Sequence, residues 1–394
     1  MRKGERGMFL DFTEEQRLIK EMARDFVAKE IIPLEERYDF NRPITREEFR
    51  EIWQGLLPAL MRLTEGIDLS ELDYISLGIF LEEAFKANPS LVCTIAMALG
   101  PAGMLQLFGS DELKKKYTPL IISGQKIGCS AITEPDVGSN PAEIKSTAVL
   151  NGDSYVLNGT KTWISCADIS DIAAVTCRFR EGEGERIGIL LVDREISPYE
   201  SSELPHMGLK AFPTGELYFS DCVVPKENRI GGSSKGKKKG DLKMVFEGFE
   251  YARTGMALGS VAMAQDAFEH AVAYAQERRQ WGKLIGEHQM IQEMITDMAA
   301  SIDTARLLAY RALSLLQQGK RCDREASMAK YYATEMAIDV TSKAIQIHGA
   351  NGLSEEYPVE RIFRDARMFT IPDGTTQIQK LIVARDILGL SAFR

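Results

Sequence analysis

The hydrophobic pattern of this chain runs at helical spacing, then at strand spacing, then at helical spacing again, and that double switch excludes an all-helical or all-strand fold. From Thr13 to about Lys116 the spacing is helical. Thr13 followed by Gln16 predicts a capping-box start, Leu18, Ile19, Met22, Phe26 and Val27 share one face, and Pro33 follows the end. A second helix is predicted over Ser70 to Phe85, with Ile75, Ile79, Phe80 and Phe85 apolar. From about Ile127 to Val224, short β-rich runs such as Ile172 to Cys177 and Ile187 to Val192 are separated by turn residues. Asn151-Gly152, between Ala148-Val149-Leu150 and Tyr155-Val156-Leu157, predicts a hairpin. After Gly240, helical spacing returns over Leu242 to about Arg278, His288 to Leu316, Glu325 to Gln346 and Thr375 to Leu388, and four long helices imply a bundle. The expected architecture is α+β: an N-terminal helical domain over residues 1–124, a central β domain over 125–238 and a C-terminal four-helix bundle over 239–394. The run Gly231 to Gly240, with Lys235 to Lys239 at its centre, reads as a solvated cationic connector. Ligands bind most often in crevices between such domains.

The 394 residues carry 48 Lys and Arg against 57 Asp and Glu, a net charge of −9, which argues against a nucleic-acid or anionic-membrane surface. The six cysteines, Cys93, Cys129, Cys166, Cys177, Cys222 and Cys322, are scattered, and there are only four histidines. Neither a disulfide framework nor a metal cluster is signalled, and the thiols are expected to be reduced and mostly buried. The charged start Met1 to Gly7 leads into no signal-peptide apolar run, and no stretch reaches the roughly 18 uncharged apolar residues a membrane span needs. The expectation is a cytoplasmic protein with no membrane span.

The segment Cys129 to Asn140 leaves a strand with Thr133 and Ser139 around a Pro135 turn, and Gly138 permits close backbone approach. Such a loop can hold a polar ring edge, although an ordinary surface turn has the same composition. Trp163 and Ser165 fall on one face of a strand, so an aromatic plane and a hydroxyl can address one flat ligand, although a lone strand Trp is more often core. Glu277 to Lys283 ends a helix with Arg278, Arg279, Trp281 and Gly282. Arg forks match pyrophosphate oxygens, but cations also complement a helix C-terminus with no ligand present. Gln346 to Gly352 is a helix end with Gly349 as its stop, and His348 has no acid or metal set beside it to make it catalytic. Asp373 stands beside Gly374 and Thr375-Thr376 at a break between two helical patterns. A carboxylate just before the first turn of a helix meets unpaired N–H groups and the positive end of the dipole, so its place is fixed and its charge can be tuned. It is the candidate base.

These segments, in this order, resemble the acyl-CoA dehydrogenase family of flavoproteins over essentially the whole chain. Ile132-Thr133-Glu134-Pro135 to Gly138-Ser139 resembles the family's first signature, and Arg364-Asp365-Ala366 with Gly374-Thr375 and Gln377-Ile378-Gln379 resembles its second. The resemblance implies FAD as cofactor, with Thr133 on the flavin edge, Trp163 against the ring and Ser165 near N5. It implies acyl-CoA contacts from Ser139, Arg253 and Gly374. Arg278, Trp281, Gln289, Gln346 and Gly349 match positions holding the pyrophosphate and adenosine half of FAD across a subunit contact, and Thr375 and Gln377 match further FAD contacts. A homotetramer and electron-transfer flavoprotein as the electron acceptor are implied in the same way. The chemistry implied is removal of the thioester α-proton by a carboxylate while the flavin takes the β-hydride, with the N–H of the base residue helping to polarise the carbonyl.

The chain departs from the family pattern where most members have Glu: it has Asp373, preceded by Pro372 in place of Tyr. The position to which some members move the base is Ala252, so Asp373 is the matching acid. Because Asp is one methylene shorter and base efficiency depends on reach, the expected substrate has a bulky α-carbon, branched or cyclic, such as cyclohexane-1-carboxyl-CoA. Ala87 to Ala96 carries no Arg of the kind that binds dicarboxylic acyl chains, which disfavours glutaryl decarboxylation. Two other readings stay open: a nitroalkane-oxidase-like flavoenzyme, which also uses an Asp base, and a homologue that binds with little turnover.

Overall fold

A computed structural model describes residues 12–63, 73–182, 184–231 and 241–393, with backbone alone over 241–247. Met1 to Gly7, the predicted helix start at Ser70 and the Lys235 to Lys239 run lie outside the described residues. The N-terminal region is helical: α1 (Glu14–Phe26), α2 (Leu34–Arg37), α3 (Arg46–Leu63), α4 (Tyr74–Ala87), α5 (Pro89–Phe108) and α6 (Asp111–Ile122). Thr13 caps α1 as its sequence predicts: its side chain accepts from the Gln16 N–H while the Gln16 side chain accepts from the Thr13 N–H. A single π-helical stretch, Val27–Ile31, follows before Pro33. Helix α5 carries no charge and is, among the described residues, the one helix long and apolar enough to cross a membrane. It packs instead against α6 and the first strand, a feature that residue counting along the sequence passed over.

The strands are β1 (Gly128–Ala131), β2 (Thr147–Asn151), β3 (Ser154–Ser165), β4 (Ile172–Glu181), β5 (Gly184–Asp193), β6 (Glu200–Glu203), β7 (Thr214–Pro225) and β8 (Arg229–Ile230). They form one sheet in the order β6-β7-β3-β2-β4-β5-β8, with β1 also pairing parallel to β4. The predicted hairpin is β2–β3, but Asn151 pairs with Ser154, so its two loop residues are Gly152 and Asp153. Gly152 supplies the positive φ of 60° that this tight turn requires.

The C-terminal region is α7 (Asp241–Glu277), a small hairpin β9 (Arg279–Gln280) and β10 (Lys283–Leu284), then α8 (Gln289–Gln317), α9 (Asp323–His348), α10 (Val359–Met368) and α11 (Thr376–Leu388). Helices α7, α8 and α9 pack on one another, α10 and α11 pack on α9, and α4 joins the same core from the N-terminal side. Burial of small side chains lets these helices approach closely: Ala326, Ala329, Ala333, Ala337 and Ala344 of α9 are all fully buried.

Two contacts fix the sheet against the helices around the α10–α11 connection. The Leu209 N–H donates to the Asp365 carboxylate at 2.5 Å. Gly208, at φ 71°, passes so close to α10 that a Cβ would stand 2.2 Å from the Arg364 carbonyl, so no larger residue fits.

Candidate active site

Asp373 lies in the connection between α10 and α11, and its backbone is left-handed at φ 53°, followed by Gly374 at φ 94°. A non-glycine residue in that region costs energy and persists where its surroundings hold it. Here the helix cap is Thr375, whose hydroxyl accepts from the Ile378 N–H. Asp373 is therefore one step further from the helix than the sequence implies, and it is not held by the first-turn N–H groups. What holds it is a set of donors on its backbone. Arg253 Nε donates to the Asp373 carbonyl at 3.3 Å, and Gln379 Nε2 donates to the Asp373 carbonyl at 2.8 Å and the Gly374 carbonyl at 2.9 Å. Lys330 Nζ donates to the Gly374 carbonyl at 2.9 Å.

With its carbonyl engaged, Asp373 keeps two unengaged polar groups: among the described residues, neither its carboxylate nor its N–H makes a hydrogen bond. Burial pushes the Asp373 carboxyl above the ordinary aspartate range, and the Lys330 and Arg253 charges only partly pull it back. Other buried acids are occupied. Asp365 accepts from Leu209, Glu134 is paired with Lys161 at 2.8 Å, and Glu250 accepts from the Cys322 N–H at 3.2 Å. Burial pushes the thiol of Cys93 of α5 upward, and the Asp365 and Asp373 charges add to it, which marks the charge-free start of α5 as a neighbour of the base.

On the sheet, Thr133 follows β1 and its carbonyl accepts from the Thr162 N–H at 3.0 Å, which brings Thr133 beside Trp163. The pairing of β3 with β7 shifts register between Lys161 and Ile164, and Trp163 sits in that irregularity at φ 58°. Plain alternation therefore does not place Trp163 and Ser165. The bulge turns the indole outward, leaving Trp163 58% exposed where a core Trp would be covered. The Thr133 and Ser165 hydroxyls bond to no described residue. Two unpartnered hydroxyls beside an outward indole fit the edge and face of a flat heteroaromatic ring. Ser139 is exposed on the loop after Thr133.

Arg253, expected to contact the acyl-CoA, stands beside the base. It is only 6% exposed, lies over the Phe249 ring and is committed to the Asp373 carbonyl. Thr375 and Gln377 stand at the start of α11, with Gln377 exposed. Arg278, Trp281, Gln289, Gln346 and Gly349 gather elsewhere, around the β9–β10 hairpin and the end of α9, and all are exposed. Trp281 and Gln289 line a surface concavity of about 670 Å³ with Ile285, His288 and Ile347. His348 is a packed histidine, buried against Tyr274 with its Nδ1 2.8 Å from the Ala344 carbonyl.

Sequence reasoning missed Lys330 and Gln379, both fully buried beside Asp373, and the Glu134–Lys161 pair under Thr133. A signal for Lys330 was present: it interrupts the run of alanines on the buried face of α9 with a charge.

Three family models cover the chain: acyl-CoA dehydrogenase N-terminal domain over residues 13–125, middle domain over 129–222 and C-terminal domain over 242–388. The caffeyl-CoA reductase-Etf complex subunit CarC of Acetobacterium woodii is 36% identical over 388 residues, spanning 96% of this chain and 99% of that protein. Glutaryl-CoA dehydrogenase of Desulfococcus multivorans is 35% identical over 389 residues, spanning 97% and 99%. A solved glutaryl-coenzyme A dehydrogenase in complex with glutaryl-CoA matches with a TM-score of 0.86 at 34% identity, over 98% of each chain. The chain belongs to the acyl-CoA dehydrogenase family. It is an FAD-dependent oxidoreductase with the family's order of helical, β and helical domains, and its activity is acyl-CoA dehydrogenation.

Proposed function

We propose that this enzyme converts an α-branched or alicyclic acyl-CoA, such as cyclohexane-1-carboxyl-CoA, to the 2-enoyl-CoA, with Asp373 removing the α-proton. The observation that carries the reading is the carboxylate of Asp373, which makes no hydrogen bond among the described residues while Glu134, Asp365 and Glu250 are each engaged. A base with a raised pKa holds the abstracted proton better than an ordinary aspartate, and its unused N–H is available to the thioester carbonyl, where negative charge develops. Bound FAD supplies the acceptor for the β-hydride. Thr133, Trp163 and Ser165 would hold its ring, Thr375 and Gln377 a further part of it, and Ser139 and Gly374 the acyl-CoA.

The short Asp side chain and the rigid Pro372 before it favour an α-carbon that comes to the base rather than the reverse. The uncharged segment Ala87 to Ala96 offers no partner for a second substrate carboxylate. Anaerobic mixing with linear, branched and alicyclic acyl-CoAs, followed by flavin absorbance, tests this. Faster bleaching by butyryl-CoA or octanoyl-CoA than by any branched or cyclic thioester would sink the substrate assignment. A nitroalkane-oxidase-like activity would instead bleach the flavin without CoA.

A distance within one chain supports assembly into a homotetramer. Lys330, beside the base, and Gln346 are sixteen residues apart on α9, which is about 24 Å along a helix. The exposed group at Arg278, Trp281, Gln289, Gln346 and Gly349 thus lies away from its own Asp373, which favours cofactor contacts to the FAD of a neighbouring copy in a homotetramer. Electron-transfer flavoprotein is the proposed acceptor, in keeping with the Etf complex named for the CarC relative, and the location is the cytoplasm, where the six thiols stay reduced.

A further inference from the structure

We propose that Lys330 is the positioning residue of the base: its ammonium group, anchored on the Gly374 carbonyl, holds the Asp373-Gly374 kink in the orientation that presents the carboxylate to the thioester. The inference rests on Asp373 being the base.

Lys330 has no accessible surface, and among the described residues its Nζ reaches a single hydrogen-bond acceptor, the Gly374 carbonyl at 2.9 Å. Among the described residues no carboxylate lies within ion-pair distance of it. A buried ammonium with one neutral partner is costly, and a Met of similar length would fill the same space without that cost. What the cation supplies here is local. Two consecutive residues with positive φ, Asp373 at 53° and Gly374 at 94°, have their carbonyls turned inward to Lys330, Gln379 and Arg253. Turning those carbonyls inward leaves the Asp373 N–H and carboxylate unbonded.

The charges facing Lys330 are Asp373 from the α10–α11 connection, Arg253 from α7 and Glu335 from its own helix. Burial depresses its pKa to about 8, with Asp373 drawing it up, Arg253 pushing it down and Glu335 drawing it up. Below that pH Lys330 is charged and favours the ionised form of Asp373; Arg253 adds to this effect.

The test compares Lys330→Met, Lys330→Gln and Lys330→Arg in the FAD-loaded enzyme. Infrared titration follows the Asp373 carboxyl band, assigned by its loss in Asp373→Asn. Flavin reduction is measured with butyryl-CoA and cyclohexane-1-carboxyl-CoA. Lys330→Met is expected to move the carboxyl titration to higher pH and to lower the reduction rate on the order of 10²-fold through misplacement of the base. Lys330→Arg, which keeps the charge, is expected to leave the titration near that of the wild type and recover much of the rate. Lys330→Gln, a neutral donor, is expected to shift the titration with a smaller loss of rate, and it carries the test if Lys330→Met does not fold. An unmoved titration in both neutral variants, or equal losses in the Arg and Met variants, overturns the proposal. Full flavin reduction by Asp373→Ala would overturn the underlying base assignment instead, so the two failures are distinguishable.

Discussion

Lys161 and Glu134 form an ion pair of 2.8 Å from which water is excluded on both sides, with Lys161 fully buried and Glu134 only 5% exposed. Lys161 Nζ also donates to the Ile132 carbonyl at 2.9 Å, and Glu134 accepts from the backbone N–H groups of Lys145 at 2.6 Å and Ser146 at 2.9 Å. The pair thus ties both ends of the loop that presents Thr133 and Ser139 to strand β3. Burial alone would raise the Glu134 pKa, but the donors from Lys161, Ser146 and Lys145 outweigh it and hold it below the usual glutamate range.

Breaking one side of this pair leaves a buried charge alone. Lys161→Met is expected to cost about 3–5 kcal/mol, whereas the double variant Lys161→Met with Glu134→Gln recovers much of that loss, because desolvation of both charges is relieved together. Chemical denaturation of the two variants measures the difference, and FAD content reports whether the Thr133 loop has lost its shape.

Asp373→Ala removes the proposed base without filling the cleft. The rate of flavin reduction by acyl-CoA is expected to fall by about 10²–10⁴-fold with acyl-CoA binding largely retained. Asp373→Glu extends the carboxylate by one methylene and is expected to move preference toward linear thioesters. Stopped-flow reduction with butyryl-CoA against cyclohexane-1-carboxyl-CoA reads the ratio directly, and an unchanged ratio would remove the link between side-chain length and acyl shape.

The raised Asp373 pKa has a sign for stability. A group whose pKa is higher folded than unfolded contributes stability fully below its unfolded value and loses it as pH rises through the folded one. Above its unfolded pKa Asp373 therefore costs the folded state stability, and Asp373→Asn is expected to melt at a higher temperature than wild type at pH 7. The advantage shrinks toward pH 4, below which both side chains are neutral. Thermal melts across that window check it. The acid limb of kcat/KM belongs to the same group in the free enzyme and is expected above the ordinary aspartate range.

Much of this fold was legible because its signals are local. The Thr13 capping box, the β2–β3 hairpin and the helical spacing of α7, α8 and α9 each depend on residues a few positions apart. What was not legible depends on contacts made across the chain. The clamp on the Asp373 backbone joins Arg253, Lys330 and Gln379 from three helices, and no spacing rule links them. The bulge at Trp163 was hidden for a related reason: strand alternation assumes continuous pairing, and the β3–β7 register breaks between Lys161 and Ile164. The capping role of Thr375 was the nearer miss, since Thr is itself a favoured N-cap residue just before a helical run.

Trp281 offers a last discriminating experiment. It is 92% exposed at φ 53° on the tip of the β9–β10 hairpin, beside Met290 at 76% exposure. A large aromatic held in a strained backbone and left almost wholly exposed contributes little to the stability of its own chain. In the proposed homotetramer it is covered by a neighbouring copy and lies near that copy's FAD. Trp281→Ala is therefore expected to leave unfolding of the isolated chain within about 0.5 kcal/mol of wild type, as for other exposed positions. It is also expected to weaken assembly and FAD retention together, because the same contact serves both. Sedimentation velocity and flavin content, measured over a series of protein concentrations, separate the outcomes. A variant that stays assembled and keeps its FAD would place the hairpin outside any subunit contact.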